Sequence, residues 1–219
     1  GRFGLRRGKD AGKDQAYFLH MLTHDNLRDS LFPVGEYSKS EIRALARRAQ
    51  LPNAGRPDSQ GLCFVGDVSI GDFLSRFIPL TAGKVADMEG KVVGTHDGAA
   101  RYTIGQRHGF SLDVAGAFEK PHYVVRINTQ TNILTVSDAL DNARRRSVRL
   151  RDVNWINEEP VGGSTYDVEL RYHQNPTAAT ITRTPAGFAL DLSTPQIVSS
   201  GQSAVLYDGD RCLGGGIVD

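Results

Sequence analysis

Residues 178–192 read Ala-Ala-Thr-Ile-Thr-Arg-Thr-Pro-Ala-Gly-Phe-Ala-Leu-Asp-Leu and decide the fold of the C-terminal part of the chain. Two short runs that contain Thr, Ile, Phe and Leu lie on either side of the turn sequence Pro185-Ala186-Gly187. β-Branched and aromatic residues favour strands, whereas Pro and Gly favour tight turns. The stretch therefore predicts two short strands joined by a turn.

The same pattern recurs on both sides of this stretch, at intervals of roughly ten residues. Turns at Gly162-Gly163 and Asp208-Gly209-Asp210 separate further short apolar runs, and no helical period intervenes. Evenly spaced short strands are typical of a small closed barrel or a sandwich. The predicted strands cover residues 147–153, 166–172, 178–183, 187–192, 203–207 and 211–218.

Helices are predicted within the first 80 residues, the last of them over residues 70–77. A short strand over residues 3–7 precedes a predicted helix over residues 13–22, for which Asp14 is a plausible N-cap. The strongest helix signal is the capping box Ser38-Lys39-Ser40-Glu41, which is followed by apolar residues at helical spacing. That helix should end before Pro52, because proline disfavours helical geometry in the residue that precedes it.

The middle of the chain again favours strands, with a hairpin predicted over residues 84–94 around a Gly-containing turn. The whole pattern predicts a mixed but mainly β fold. We expect three domains, at residues 1–80, 81–142 and 143–219. The second should be small and β-rich, and the third an antiparallel β-barrel.

The composition excludes several classes of protein. The net charge of +1 gives no global field that would attract nucleic acid, and no run reaches the roughly 18 apolar residues of a membrane span. No secretory signal is visible at the start of the sequence. Two distant cysteines make neither a disulfide framework nor, by themselves, a zinc site. We expect a reducing, cytoplasmic setting with no membrane partner and no metal site.

Cys63 is the residue most suited to chemistry by its context. It lies in Asp58-Ser59-Gln60-Gly61-Leu62-Cys63-Phe64, where polar residues and glycine suit an accessible turn rather than a buried strand. A free thiol has a pKa of about 8.5, so nucleophilic work needs help from a cation, a helix N-terminus or a partner thiol. An unreactive thiol is the alternative. Cys212 falls in a predicted strand and is expected to be inert.

Two polar stretches have both a structural and an RNA-binding interpretation. Lys13, Asp14 and Gln15 could simply start a helix, or their exposed polar groups could meet an RNA phosphate or base edge. The run Arg144-Arg145-Arg146 could be a solvated face or a phosphate-contacting patch. The histidines form no metal-binding motif, and neither a Walker A loop nor GxGxxG is present.

Five motifs, in the same order along the chain, resemble the tRNA-specific 2-thiouridylases of the MnmA/TrmU type. The resemblance runs through the whole sequence, and several of the motifs are specific to that family. The motifs are Lys13-Asp14-Gln15-Ala16-Tyr17-Phe18-Leu19, Leu31-Phe32-Pro33-Val34-Gly35, Asp58-Ser59-Gln60-Gly61-Leu62-Cys63-Phe64, Tyr102-Thr103-Ile104-Gly105-Gln106-Arg107 and Gly214-Gly215-Gly216.

This resemblance implies an activity. Members of the family use ATP to adenylate the C2 oxygen of the wobble uridine in tRNAs for Lys, Glu and Gln. Sulfur then replaces that oxygen, delivered as a cysteine persulfide by an upstream sulfur-relay or cysteine desulfurase protein. The cysteine of the family's DSxGxCF motif carries the persulfide, and Cys63 matches it.

The resemblance also implies RNA-contact residues. Lys13, Asp14 and Gln15 match one tRNA-contact motif of the family, Arg171-Tyr172 matches a second, and Gln202 matches a third. Residues 1–80 then correspond to the end of an α/β adenylating domain with the catalytic-cysteine loop.

The chain departs from the family in one respect. The SGGxDS phosphate-binding loop of the adenylating domain has no counterpart here, and Cys212 does not match the family's second catalytic cysteine. We therefore expect the chain to be inactive alone, with ATP bound mainly by a domain that it lacks. The alternatives are a stand-alone RNA-binding β-barrel module without catalysis, and a fragment that docks onto a separate adenylating chain.

Overall fold

The computed structural model describes residues 2–58, 70–113 and 120–219, and within them the fold is mainly β. The chain forms two compact units, one of residues 1–57 with 146–219 and the other of residues 58–145. In chain order, the elements are β1 (Leu5–Arg6), a 3-10 turn (Ala16–Leu19), α1 (His24–Arg28), α2 (Lys39–Arg48), α3 (Ile70–Ser75), β2 (Gly83–Ala86), β3 (Val92–His96), a 3-10 turn (Ala99–Arg101), β4 (Phe110–Leu112), β5 (Tyr123–Asn128), β6 (Ile133–Ser137), a 3-10 turn (Leu140–Ala143), β7 (Arg144–Trp155), β8 (Thr165–Glu169), β9 (Thr177–Thr184), β10 (Gly187–Ile197), β11 (Ser203–Asp208) and β12 (Arg211–Val218).

The six C-terminal strands form a closed antiparallel barrel, which is one of the two architectures, barrel or sandwich, that the strand spacing indicates. They follow the order β12-β11-β8-β9-β10-β7, and pairing of β12 with β7 closes the ring. The hairpin of residues 178–192 is confirmed, with Gly187 opposite Thr184 and Leu190 opposite Ile181. Alternate side chains point into the barrel and make its core. The fully buried core residues include Val168, Leu170, Ile181, Leu190, Leu192 and Leu206.

Three consecutive glycines in β12 allow its neighbours to approach closely. A Cβ atom on Gly214 would clash with the carbonyl oxygen of Asn154 in β7, and one on Gly215 with that of Ala204 in β11. A Cβ atom on Gly216 would lie 2.8 Å from a methyl carbon of Val153. The absence of side chains at these positions therefore lets β12 pair with both neighbours and close the barrel.

The N-terminal segment packs on the barrel in the same unit. β1 extends the sheet by pairing with β12, so that Leu5 lies opposite Cys212. A second buried cluster joins the segment to the outside of the barrel, and this cluster includes Leu5, Tyr17, Leu27, Val205, Tyr207 and Cys212.

The predicted helix over residues 13–22 is wrong. Only residues 16–19 are helical, as a single 3-10 turn, and α1 begins after a new N-cap at Thr23. The carboxylate of Asp14 accepts the backbone N–H groups of both Gly8 and Ala16, so it closes a loop instead of starting a long helix.

The helix predicted after Ser38 is confirmed as α2. The Ser38 hydroxyl accepts the N–H of Glu41, and the Glu41 carboxylate accepts the N–H of Ser38. Within the described part of the chain, no residue of α2 is buried, so its apolar stripe stays accessible. None of the described helices is long and apolar enough to cross a bilayer.

The second unit is a half-open barrel of five strands in the order β4-β3-β2-β6-β5. The predicted hairpin over residues 84–94 corresponds to β2 and β3, and β2 also runs parallel to β6. His96, the last residue of β3, is buried, and its Nδ1 accepts the N–H of Gly98 at 2.9 Å. Burial lowers the pKa of His96. The proposed division into domains at residues 1–80, 81–142 and 143–219 stays a prediction.

We predict that Gly215→Ala destabilises the barrel by about 1–3 kcal/mol, because the new methyl group must push β11 away from β12. Urea unfolding monitored by circular dichroism measures this loss. Gly162→Ala is the matched control, since nothing lies within 4 Å of the position of its Cβ atom. Equal stabilities of the two variants would contradict this account of barrel closure.

Candidate nucleic-acid interface

Asp14 holds the first of the predicted RNA-contact segments in shape. Its Oδ1 accepts the backbone N–H of Gly8 at 2.9 Å and that of Ala16 at 3.1 Å, which folds residues 8–16 into a tight loop, the Asp14 loop. Lys13 and Gln15 flank Asp14 and are exposed. The loop therefore presents one cationic and one amide side chain to solvent on either side of a largely buried carboxylate.

Arg7 connects this loop to the barrel. Its Nη1 donates to Glu169 Oε1 of β8 at 2.6 Å and lies 3.6 Å from Asp14 Oδ2. The guanidinium carbon also lies 3.5 Å from the centroid of the Tyr207 ring, a cation–π contact. Burial alone would lower the pKa of Arg7, but the hydrogen bond and the charge of Glu169 outweigh it and raise that pKa. Arg7 therefore stays charged beneath the loop.

Aromatic rings join the Asp14 loop to the turn that follows β8. The ring of Tyr172 lies 4.5 Å from that of Phe18 and 4.0 Å from that of His173, measured between centroids. Tyr17 lies below them and donates its hydroxyl to the carbonyl of Ser203 at 2.8 Å. Phe18 is 58% exposed, so much of its ring is accessible to solvent.

The remaining predicted contact residues lie on the same unit but in different settings. Arg171 is exposed in the turn after β8, and its positive charge partly offsets the rise in the pKa of Tyr17 that burial causes. Gln202 is half-buried just before β11, and its carbonyl accepts the N–H of Val218 at 2.8 Å. Gln202 does not line the cavity that lies between residues 8–16 and the turn after β8.

A cavity of about 520 Å³ lies between the Asp14 loop and the turn after β8. The size falls in the range typical of small-ligand sites, about 300–1,000 Å³. Its lining combines carboxylates, one guanidinium, aromatic rings and side-chain amides. The lining residues are Arg7, Gly8, Ala11, Gly12, Asp14, Tyr17, Glu169, Tyr172, His173, Gln174, Asn175 and Pro176.

Of the two cysteines, only Cys212 lies among the described residues. Cys63, the predicted persulfide carrier, lies outside the described residues. Cys212 is buried in β12, and burial raises the pKa of its thiol to about 11, which keeps it protonated at neutral pH. Among the described residues, no group of three His, Cys, Asp or Glu side chains could hold a metal ion.

The segment Tyr102–Arg107, which carries one of the five motifs, makes a turn that pairs with β5 of the second unit. The N–H of Gly105 donates to the carbonyl of Val124 at 2.7 Å, and the N–H of Val124 donates to the carbonyl of Gln106 at 2.8 Å. Gly105 has a φ of 86°, which favours glycine. These contacts give the motif a structural role.

Sequence reasoning missed Arg7, Glu169, Phe18 and His173 as parts of the site. Glu169 carried a signal, because it is a carboxylate between Val168 and Leu170 in an apolar strand. A charge in such a position needs a partner. The identity of that partner could not be read from the sequence, since Arg7 is far away along the chain.

Three family models match successive parts of the chain. They are described as a tRNA methyl transferase HUP domain over residues 1–67, a tRNA methyl transferase PRC-barrel domain over residues 71–138 and an aminomethyltransferase beta-barrel domain over residues 145–218. Proteins named tRNA-specific 2-thiouridylase MnmA match along nearly the whole chain. That of Delftia acidovorans is 42% identical over 99% of this chain, and that of Lacticaseibacillus paracasei is 39% identical over 98%.

The chain belongs to the tRNA-specific 2-thiouridylase family. It covers only part of these relatives, namely 62% of the Delftia acidovorans protein and 58% of the Lacticaseibacillus paracasei protein. A relative from Klebsiella pneumoniae subsp. pneumoniae, 39% identical, is covered to 61%. The family resemblance found in the five sequence motifs is thereby confirmed, as is the mainly β fold.

We predict that Arg7→Met destabilises the first unit by about 3 kcal/mol, because it leaves the buried Glu169 carboxylate without its cation. Chemical denaturation followed by Tyr and Trp fluorescence measures the change. Arg6→Met is the matched control, since Arg6 pairs with Asp210 at the exposed surface and its loss should leave the unfolding midpoint in place. A loss for Arg7→Met no larger than that for Arg6→Met would refute a structural role for the buried pair.

Proposed function

We propose that the chain supplies the tRNA-binding surface and the sulfur-carrying cysteine for 2-thiolation of the wobble uridine. The observation that carries the proposal is the meeting of two distant segments around one cavity. Residues 13–15 and 171–172 each match a tRNA-contact motif of the family, and Asp14 and Tyr172 line the same cavity. Family membership supports the reaction class.

The chemistry of the surface suits single-stranded RNA. Lys13 and Arg171 are exposed cations of the kind that contact phosphates, and Gln15 offers both a donor and an acceptor. The accessible ring of Phe18 and the half-buried ring of Tyr172 offer faces on which unpaired bases stack. Cations for the backbone and aromatic faces for the bases are the two components of such sites.

In the proposed reaction, Cys63 carries a persulfide whose terminal sulfur attacks C2 of an adenylated uridine. The new C–S bond replaces the C2–O bond, and AMP leaves with the oxygen. A second thiol then cleaves the S–S bond, which releases the thiolated base and forms a disulfide. The persulfide comes from a sulfur-relay or cysteine desulfurase protein, and the substrates are tRNAs for Lys, Glu and Gln.

Adenylation is not assigned to these residues. The 219 residues contain no SGGxDS loop, the phosphate-binding motif of the family's adenylating domain. ATP would therefore be bound mainly by a nucleotide-binding domain with which this chain works, and we propose that the chain alone is inactive.

A stand-alone RNA-binding module is the second candidate, because the described surface needs no cysteine to bind RNA. Substitution of Cys63 distinguishes the two functions, because only the enzyme needs its thiol. In a complete thiouridylase, Cys63→Ala should abolish 2-thiouridine formation and leave tRNA affinity unchanged. Full thiolation by the alanine variant would mean that Cys63 does not carry the sulfur, and it would favour the binding module.

We predict that Arg171→Gln weakens binding of a tRNA-Glu transcript and reduces the slope of log affinity against log salt by about 1, because one phosphate contact is lost. Fluorescence anisotropy at several salt concentrations measures both quantities. Arg183→Gln is the matched control, since Arg183 is exposed on β9 and pairs with Glu159. Equal effects of the two variants, or no binding of the transcript by the unmodified chain, would contradict the proposed surface.

A further inference from the structure

We propose that the cavity between the Asp14 loop and the turn after β8 takes up one unstacked base of the bound tRNA. The base would enter with its Watson–Crick edge toward Asp14 and Glu169 and would donate N–H groups to carboxylate oxygen. This inference rests on the proposed function, since it assumes that the surface binds RNA. It adds a specific ligand, a nucleobase rather than a phosphate, and a specific direction of entry.

The charge of the cavity selects against phosphate. Two carboxylates, Asp14 and Glu169, line it together with one guanidinium, Arg7, so the group carries one formal negative charge. Both carboxylate side chains are largely buried, at 11% and 9% exposed, so water screens their charge weakly. A phosphate would be repelled there, whereas the N–H groups of a base would find acceptors.

Asp14 has an oxygen in position to read such a donor. Oδ1 is occupied by the N–H groups of Gly8 and Ala16, whereas Oδ2 faces Arg7 at 3.6 Å, which is longer than a hydrogen bond. Carboxylates of proteins accept hydrogen bonds from the amino groups of bases in this way. The N–H groups of Gly8 and Ala16 keep Asp14 in place through Oδ1, while Oδ2 makes the longer approach to Arg7.

The wall of the cavity suits the face of a base. Tyr172 and His173 both line it, with ring centroids 4.0 Å apart and ring planes inclined by 32°. His173 adopts a left-handed φ of 62°, a conformation that non-glycine residues adopt infrequently and that is often found at binding sites. Stacking on aromatic rings contributes about 1–3 kcal/mol per base, and every base has a face that can stack.

The positions of the cations place the RNA backbone outside the cavity. Lys13 and Arg171 are exposed, and each comes directly before a lining residue, Asp14 and Tyr172 respectively. Phosphates would bind to these cations outside the cavity, while the base between them turns inward. The same arrangement explains why an acidic residue belongs in a surface that binds a polyanion.

The variant Asp14→Asn tests the proposal by the sign of its effect. If the carboxylate reads a base, the variant binds a tRNA-Glu transcript about tenfold more weakly, with an unchanged salt slope, because no phosphate contact is lost. If the carboxylate only repels RNA, the variant binds more tightly. The variant should fold, because asparagine retains the oxygen that accepts the N–H groups of Gly8 and Ala16. Thermal unfolding checks that it does.

A second measurement identifies the base and does not depend on that variant. Anticodon stem–loop RNAs in which one loop base at a time is replaced by an abasic site are bound to the unmodified chain and to Tyr172→Leu, with Tyr172→Phe as the matched control. One abasic position should weaken binding to the unmodified chain and to Tyr172→Phe, yet have little further effect on Tyr172→Leu.

The outcomes separate this inference from the proposed function. Tighter or unchanged binding by a folded Asp14→Asn variant would overturn the base pocket, as would an abasic scan in which every RNA binds equally well. In both cases, a reduced salt slope for Arg171→Gln would still support the RNA-binding surface. If the unmodified chain bound no tRNA at all, the proposed function would fail and this inference with it.

Discussion

The buried pair of Arg7 and Glu169 is the interaction on which the candidate site depends. Arg7 belongs to the N-terminal segment and Glu169 to the barrel, and the guanidinium also packs on Tyr207 and approaches Asp14. A buried charge without a partner is strongly unfavourable, so the two segments can lie together only in the register that joins these groups. That register brings the Asp14 loop beside the turn of Tyr172 and so creates the cavity.

The barrel is the rigid support for this arrangement. Its strands could be predicted from the sequence because alternation of apolar residues and turn residues such as Gly187 are local signals. Closure of the ring could not be predicted in the same way. It depends on whether β12 can approach β7 and β11, and the glycines at 214–216 permit that approach only in the context of the folded partners.

The site was predictable in part, and the errors have physical causes. The motif residues at 13–15 and 171–172 could be named from the family resemblance, but their roles remain proposals. The helix predicted over residues 13–22 was wrong because the Asp14 carboxylate bonds to Gly8, outside any helical pattern. Arg7 and Glu169 were missed because their partnership joins distant parts of the chain, which local patterns do not show.

The central claim is that the Asp14 loop and the turn after β8 form one RNA-binding surface. Hydrogen–deuterium exchange with and without a tRNA-Glu transcript tests it most directly, because exchange reports on each segment separately. We predict that tRNA slows exchange in residues 11–18 and in residues 171–175 together, while the β9–β10 turn at residues 184–187 is unchanged. Protection of only one of the two segments, or of neither, would contradict the account.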